Sequence, residues 1–580
     1  MRRNWMLAAL GVALILAGSL LAHAIQTAAG TTVTDVRFPA PKGVSMSGLL
    51  YVPRGVDAAH PAPAVLISHG YINTREMQSP FAIELARRGF VVLAMDMTGH
   101  GYSGGNVGAD DFGGPAALTY LQNLPIVDRT NIGLEGHSMG GAPVLAAALA
   151  QPNGYRSMVL EGSTLGLFGP PQLGSPTYPR NLAVVFGKFD EFAPLMWQVP
   201  KGALIAQSDR LRALFGVGFP VVPGKIYGDA TLGTARVLFN PPVTHPWEHF
   251  SRAGIGHAVD WLQSTLSGEL TPTNPADQIW IWKEVGTVTA FIGFVLLMLG
   301  SFQLLLTSPA LSPLAKVSEP VGVERGASWW LALCLTAGIP AATFFFFMKV
   351  GGLFIPMRAF PQYVHNQLVV WALLNAALTL ALGFVLRAGK PQFAKTDWVR
   401  SVAISVGTVG TGYLSLVLVD LVFKTDYRFW VLGLKPLDPA HAVIFAAYLV
   451  PWTLFFLVAL RALVSSLGIK GEPERVQMGF AAVAMAGGFA VLLLLQYGWL
   501  FSTGMLLTPK EPLNVIIAIQ FVPLLAIVGI IAVFTYRRTN SHVPAALICA
   551  LLISWYISSG TAIHWSPDFK LPIPSAPRGK

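Results

Sequence analysis

The chain has 580 residues, 12% of them charged and 53% hydrophobic, with a mean hydropathy of +0.55. Ordinary soluble domains carry roughly 25% charged residues, so a disordered chain, a disulfide-stapled mini-protein and a purely soluble enzyme are excluded. Residues 1–284 net zero charge while residues 285–580 net +10. That basic excess is spread between apolar runs rather than clustered on one solvated face, which argues against nucleic acid as a partner.

Met1-Arg2-Arg3 precedes an apolar run from Trp5 to about Leu21, and Ala22-His23-Ala24 has the small-x-small form of a signal-peptidase site. Residues 1–25 are read as an anchor helix, with a cleaved signal peptide as the rival; either exports the chain beyond it. The run is near the lower limit for a span, about 17–20 residues.

Residues 30–268 read as alternating strands and helices. Ala64 to Ser68, Phe90 to Met95, Asn131 to Glu135, Met158 to Leu160, Leu182 to Phe186 and Val237 to Asn240 are short apolar runs. Phe81 to Arg88, Ala142 to Ala150 and His257 to Leu266 have helical spacing. Strands buried on both faces with intervening helices predict a mostly parallel, doubly wound sheet. Residues 269–279 are read as a linker.

Gly136-His137-Ser138-Met139-Gly140 is a GxSxG motif, followed by Gly141. Alone it is weak, but it lies between a strand and a helix, where a sharp turn thrusts a serine hydroxyl outward. A serine is a poor nucleophile until a base takes its proton, and that base needs an orienting acid. On such a sheet the acid follows a later strand. Lys188-Phe189-Asp190-Glu191 follows the run at 182–187, which makes Asp190 the candidate and Glu191 its alternate. The histidine follows the last strand. His245 comes first there, and Pro246 is expected to hold it in an extended loop; His249 is the alternate. His257 reads as scaffold inside the closing helix.

These residues, together with His69-Gly70-Tyr71, Asp96 to Ser103 and Asp128 to Gly133, resemble the α/β-hydrolase superfamily in its dienelactone-hydrolase-like, short-esterase branch. The resemblance covers about residues 32–268. It implies a serine hydrolase of carboxylic or thio esters, with the backbone N–H groups of Tyr71 and Met139 forming the oxyanion hole. It implies no cofactor.

Two other motifs are set aside. Gly99-His100-Gly101-Tyr102-Ser103-Gly104 satisfies GxGxxG, but the hydrolase pattern already accounts for it. His245-Pro246-Trp247-Glu248-His249 satisfies HxxEH, an inverted zinc-protease motif, but a third ligand and a shared helical face are not evident; no metal is expected. Ser163 to Arg180 is too short for a large inserted cap, and the longer excursion, 192–236, has a helical stretch near Lys201 to Phe215. Phe215, Val217 and Phe219 read as core packing ahead of a pocket wall.

From residue 280 to 564 eight apolar runs appear, at about 284–306, 328–348, 367–386, 401–423, 442–462, 477–500, 513–536 and 543–563. Each is near the ~20 residues a spanning helix needs. This is an all-α polytopic membrane domain, followed by a Pro-rich tail at 565–580. Asn375 reads as a helix–helix hydrogen bond, and Asp420 and Arg461 as snorkelling groups. Cys334 and Cys549 both lie inside apolar runs. With the N-terminus cytoplasmic, the short cytoplasmic segments hold thirteen Lys/Arg and the opposite loops six, which places the sheet domain outside. The expected substrate is a small-molecule or lipid-like ester at the bilayer surface. Alternatives are an acyltransferase using the same acyl-enzyme, a peptidase, or a transporter or scaffold with a non-catalytic sheet domain.

Overall fold

The computed structural model describes residues 5–41, 43–169, 173–267, 273–318, 322, 324–385, 393 and 395–566. Nearly all of the Pro-rich tail, and residues 269–272 of the expected linker, lie outside them.

Met6–Gln26 forms one 21-residue helix, α1. The sheet domain comes next, with strands β1 (Thr32–Pro39), β2 (Ser45–Val52), β3 (Ala62–Ser68), β4 (Val91–Asp96), β5 (Val127–His137), β6 (Ser157–Glu161), β7 (Leu182–Val185) and β8 (Arg236–Phe239). Their order is β1-β2-β4-β3-β5-β6-β7-β8, and only the β1–β2 and β2–β4 pairs are antiparallel. Strand residues alternate between two cores. Leu66, Leu93, Leu134, Leu160, Val184 and Leu238 enter one; Val65, Val92, Val159, Ala183 and Val237 enter the other. The antiparallel β1–β2 pair is absent from the run-based reading: β1 is an edge strand with only Phe38 buried, and β2, though buried, has its apolar residues interrupted by Ser47 and Gly48.

The domain helices are α2 (Ser79–Ala86), α3 (Gly114–Gln122), α4 (Gly141–Ala150), the short α5 (Ala193–Met196), α6 (Asp209–Phe215), α7 (His245–Glu248) and α8 (Arg252–Thr265). Two expectations need correction. The stretch from Lys201 is broken: a 3-10 segment spans Gly202–Gln207, and Ser208 then caps α6 by accepting from the Leu211 N–H. His245 is not in an extended loop. Thr244 takes the extended conformation, and His245 opens α7 with Pro246 in its first turn, where a missing N–H costs no helical bond.

The bundle comprises α9 (Trp280–Leu305), α10 (Ala327–Ala342), α11 (Phe344–Gly351), α12 (Tyr363–Val385), α13 (Trp398–Phe423), α14 (Pro439–Leu467), α15 (Glu474–Thr503), α16 (Pro512–Thr539) and α17 (Val543–Gly560). A two-stranded hairpin, β9 (Tyr427–Phe429) and β10 (Leu432–Leu434), joins α13 to α14. Among the described residues eight helices are long and apolar enough to cross a membrane, or nine if the α10–α11 pair, bent by 45°, is one span. Pro340 lies inside α10, three residues before the break, and removes a helical N–H. Asn375 does bond between helices, accepting from Thr343 Oγ1 at 3.3 Å.

Helix α1 packs antiparallel on α9 through small residues that let the backbones touch. A Cβ added to Gly18 would lie 2.4 Å from Gly286 O, and one added to Gly11 would lie 2.5 Å from Leu297 N. Ala22, in the small-x-small site, is fully buried.

The loops sort to two ends of the bundle. At one end Arg325 pairs with Glu472 and Arg538 with Glu474. At the other, the hairpin, the end of α15 and the segment after α17 all touch the sheet domain.

Candidate active site

Strand β5 ends at His137, a tight turn spans Ser138–Gly140, and α4 begins at Gly141. Ser138 sits at φ +54°, a left-handed conformation that costs a non-glycine residue of order 1–3 kcal/mol. The motif glycines are required by contact: a Cβ at Gly136 would meet Gly140 O at 2.3 Å, and one at Gly140 would meet Ser68 O at 2.3 Å. Strand and helix therefore close tightly around the turn, and the hydroxyl stands proud of it.

His245 Nε2 lies 2.9 Å from Ser138 Oγ, and its Nδ1 lies 2.8 Å from Asp190 Oδ2. The sequence thus separates by 107 and 55 positions groups that the fold brings into one hydrogen-bonded chain. His249 does not reach the serine; its Nδ1 is 3.1 Å from His137 Nε2. Glu191 does not reach the imidazole ring, but its Oε2 accepts the His245 backbone N–H at 2.8 Å. The Gly70–Tyr71 turn passes over Ser138, since a Cβ on Gly70 would be 3.0 Å from Ser138 Cβ. Met139 is the next residue in the turn on the other side. Phe215 is core, Val217 packs against that core, and Phe219 is exposed.

Burial favours the neutral His245 ring, but the hydrogen-bonded Asp190 carboxylate and nearby Glu191 outweigh it and raise the pKa above the ordinary value. His249 is driven the other way, to about 3, by burial and by His245. Burial, with Asp190 adjacent, pushes Glu191 up to about 7. Behind the serine, burial likewise raises Glu248, helped by Asp190 and Glu161. One oxygen of Glu248 takes the Gly187 N–H at 2.5 Å.

The HxxEH residues do not converge as a ligand set. Among the described residues the group able to approach one ion is His137, His245 and Glu248, with ligand atoms within 4.8 Å of one another, and His249 is not in it. Both nitrogens of His245 already face Ser138 and Asp190, so a metal there would dismantle that chain.

The bundle meets the loops around the site. Tyr497 of α15 donates to Glu191 Oε1 at 2.8 Å, and Phe501 meets Phe189 edge-on. Trp430, on the hairpin, donates to Pro246 O at 3.1 Å. Tyr71 OH lies 2.8 Å from His564 Nε2, just past α17. A buried ionic network seals the rim: Arg75 binds Asp35 and Glu76, and Glu76 also binds Lys435. Sequence reasoning reads Trp430 as a tryptophan near a span end and assigns none of these bundle residues to the cleft. An aromatic near a span end looks the same whether it marks the interface or touches a partner domain.

Comparisons with known proteins bear on the family of this domain. The profile described as serine aminopeptidase, S33 matches residues 59–207. The chain carries an α/β-hydrolase domain. It is similar to the uncharacterized protein YcjY of Escherichia coli (strain K12), 30% identical over 115 residues, 18% of this chain and 37% of that one. It is also similar to the esterase FrsA of Enterobacter sp. (strain 638), 28% identical over 142 residues, 24% of this chain and 34% of that one. The matches thus span about a third of the length of these curated relatives. Among solved structures, the Pyrococcus furiosus esterase Pf2001 aligns at 17% identity over 41% of this chain and 94% of its own, with a TM-score of 0.31. The dienelactone hydrolase of Anabaena variabilis aligns at 17% identity over 41% and 99%, with a TM-score of 0.29.

Proposed function

We propose that the protein is a membrane-embedded serine hydrolase that cleaves carboxylic or thio esters through an acyl-enzyme on Ser138. The observation that carries this reading is the chain Ser138 Oγ–His245 Nε2–His245 Nδ1–Asp190 Oδ2, at 2.9 and 2.8 Å. In it His245 takes the Ser138 proton as Oγ attacks the ester carbonyl, giving a tetrahedral intermediate. The oxyanion is held by the backbone N–H groups of Tyr71 and Met139; losing one such donor costs about 10²–10³ in rate. The imidazolium, stabilised by Asp190, returns its proton to the departing alcohol or thiol. Water then repeats the sequence on the acyl-enzyme, with His245 as base, and releases the acid.

The Lys/Arg bias supports a hydrolase domain on the extracytoplasmic face, with α1 retained as an anchor. The glycine contacts between α1 and α9 support retention, because cleavage after Ala24 would strip α9 of its closest partner.

A peptidase is the second reading, favoured by the family profile. An aminopeptidase needs a carboxylate for the substrate amine; besides Asp190, two lie beside His245, the fully buried Glu248, 3.7 Å from its Nδ1, and Glu191. Both oxygens of Glu191 are already engaged, by Tyr497 and the His245 N–H, which favours the ester.

The test is labelling of the full-length protein with a small fluorophosphonate, followed by turnover of acetate esters and aminoacyl anilides. Wild type is expected to label and to prefer the ester, and Ser138→Ala to do neither. Labelling that survives Ser138→Ala would overturn the assignment.

A further inference from the structure

The bundle holds a cavity whose mouth is built by the hydrolase domain. It offers about 80 Å³ to the centres of water molecules, and its wall includes Ile72, Asn73 and Thr74. Ile72 is two residues beyond Gly70, which packs on Ser138, so the mouth begins within about 8 Å of chain from that contact. The interior is reached between α12, α14, α16 and α17 and is lined by Trp371, Phe455, Phe521, Leu524 and Ile557. Those helices are among the spans or candidate spans, so the cavity lies inside the bundle; of the chain around the serine it takes in Ile72–Thr74, and not Tyr71, Met139 or His245.

The chemistry of the wall decides the occupant. Two cations reach it, and both are neutralised. Arg428 binds Asp426 and also points at Met77 Sδ, and Lys435 binds Glu76. Gln520 and Tyr556 bond each other, and Trp452 donates to His365. No net charge is left to hold an ionic headgroup, while the aromatic and aliphatic wall favours hydrocarbon.

We propose that this cavity holds one long hydrocarbon chain of the ester substrate, threaded into the bundle while its carbonyl lies at Ser138. The substrate class is therefore a neutral-tailed lipid ester drawn from the bilayer. The role of the membrane half is to bind that tail, in addition to anchoring the enzyme. The proposal rests on the serine-hydrolase reading for the position of the carbonyl.

The experiment uses full-length protein in detergent micelles and the p-nitrophenyl esters of acetate, octanoate and palmitate. A parallel set of acetates of short and long alcohols reports whether the chain belongs to the acid or the alcohol side. Leu524→Trp and Ile557→Trp narrow the cavity without touching Ser138, Asp190 or His245. For wild type, kcat/KM is expected to rise at least about tenfold from acetate to the longer chain in one of the two sets. The Trp variants are expected to lose at least about tenfold on the long chain while acetate turnover and fluorophosphonate labelling stay within about twofold. Unchanged long-chain turnover in variants that still label would overturn the cavity assignment, as would equal loss on acetate and palmitate.

If wild type neither labels nor turns over any ester, the hydrolase reading itself fails. Binding then decides the cavity separately. Radiolabelled methyl palmitate should stay with Ser138→Ala through gel filtration and be lost from Ser138→Ala/Leu524→Trp. Equal retention by both would contradict the cavity.

Discussion

The α/β domain and the membrane bundle bury their polar groups by different rules. In the α/β domain the candidate catalytic groups stand at the ends of strands, each placed by the element that precedes it. In the bundle, the polar groups that matter to the site lie at the end facing the hydrolase domain, where Arg428, Lys435, Tyr497 and His564 all meet it. The difference teaches where the two halves meet. On the proposed reading the hydrolase domain supplies chemistry, and the bundle supplies the cover and the wall of the cavity.

The strongest way to break this division is to show that the chemistry is shared differently. His245→Ala is expected to lower acetate ester turnover by about 10⁴. His249→Ala, which removes only a partner of His137, is expected to lower it by less than about tenfold. Turnover normalised to folded protein checks both, and a reversed order would return His249 to the role proposed for His245.

Next in size is the seam between the halves. Lys435→Met leaves Glu76 buried with Arg75 as its remaining cation, at 3.2 Å, and is expected to destabilise the protein by up to about 3 kcal/mol. Lys435→Met/Glu76→Gln should recover part of that loss in thermal unfolding. A single variant as stable as wild type would mean that the halves are not locked by this pair.

Gly18→Leu tests the anchor. Its side chain would enter the Gly286 and Ala290 backbone, starting at 2.4 Å, and overpacking of this kind costs about 1–3 kcal/mol. Lower thermal stability is expected, with α1 present in the intact mass of both proteins. A wild-type mass that begins after Ala24 would restore the cleaved signal peptide.

The smallest effect sharpens how Glu191 tunes the base. His245 must be neutral to accept the serine proton, so activity rises as pH increases through its raised pKa. Glu191 helps raise that pKa. Glu191→Gln should therefore move the acid limb of kcat/KM to lower pH, by less than about one unit. A limb that stays in place would reduce Glu191 to a bond with the His245 backbone.

Much of the hydrolase domain is legible because its signals are local. A GxSxG motif between an apolar strand and a helix announces its own turn, and Asp190 and His245 each follow a recognisable strand. The ambiguity between His245 and His249 is not local. In the fold His245 opens α7, with Pro246 in its first turn, and lies 2.9 Å from Ser138 Oγ, while His249 faces His137. The edge strand β1 escapes notice because Phe38 alone of its eight residues is buried. The contact of the bundle with the loops around the site escapes for a different reason: Tyr497 and Glu191 are 306 positions apart. Apolar runs disclose that helices span a membrane, but not which of their ends touch a soluble domain.

The most direct measurement is the site of covalent modification in the intact, membrane-embedded protein. After treatment with a fluorophosphonate, peptide mass spectrometry should find one adduct, on Ser138, and His245→Ala should suppress it. An adduct on another residue, or one formed at the wild-type rate without His245, would contradict the account.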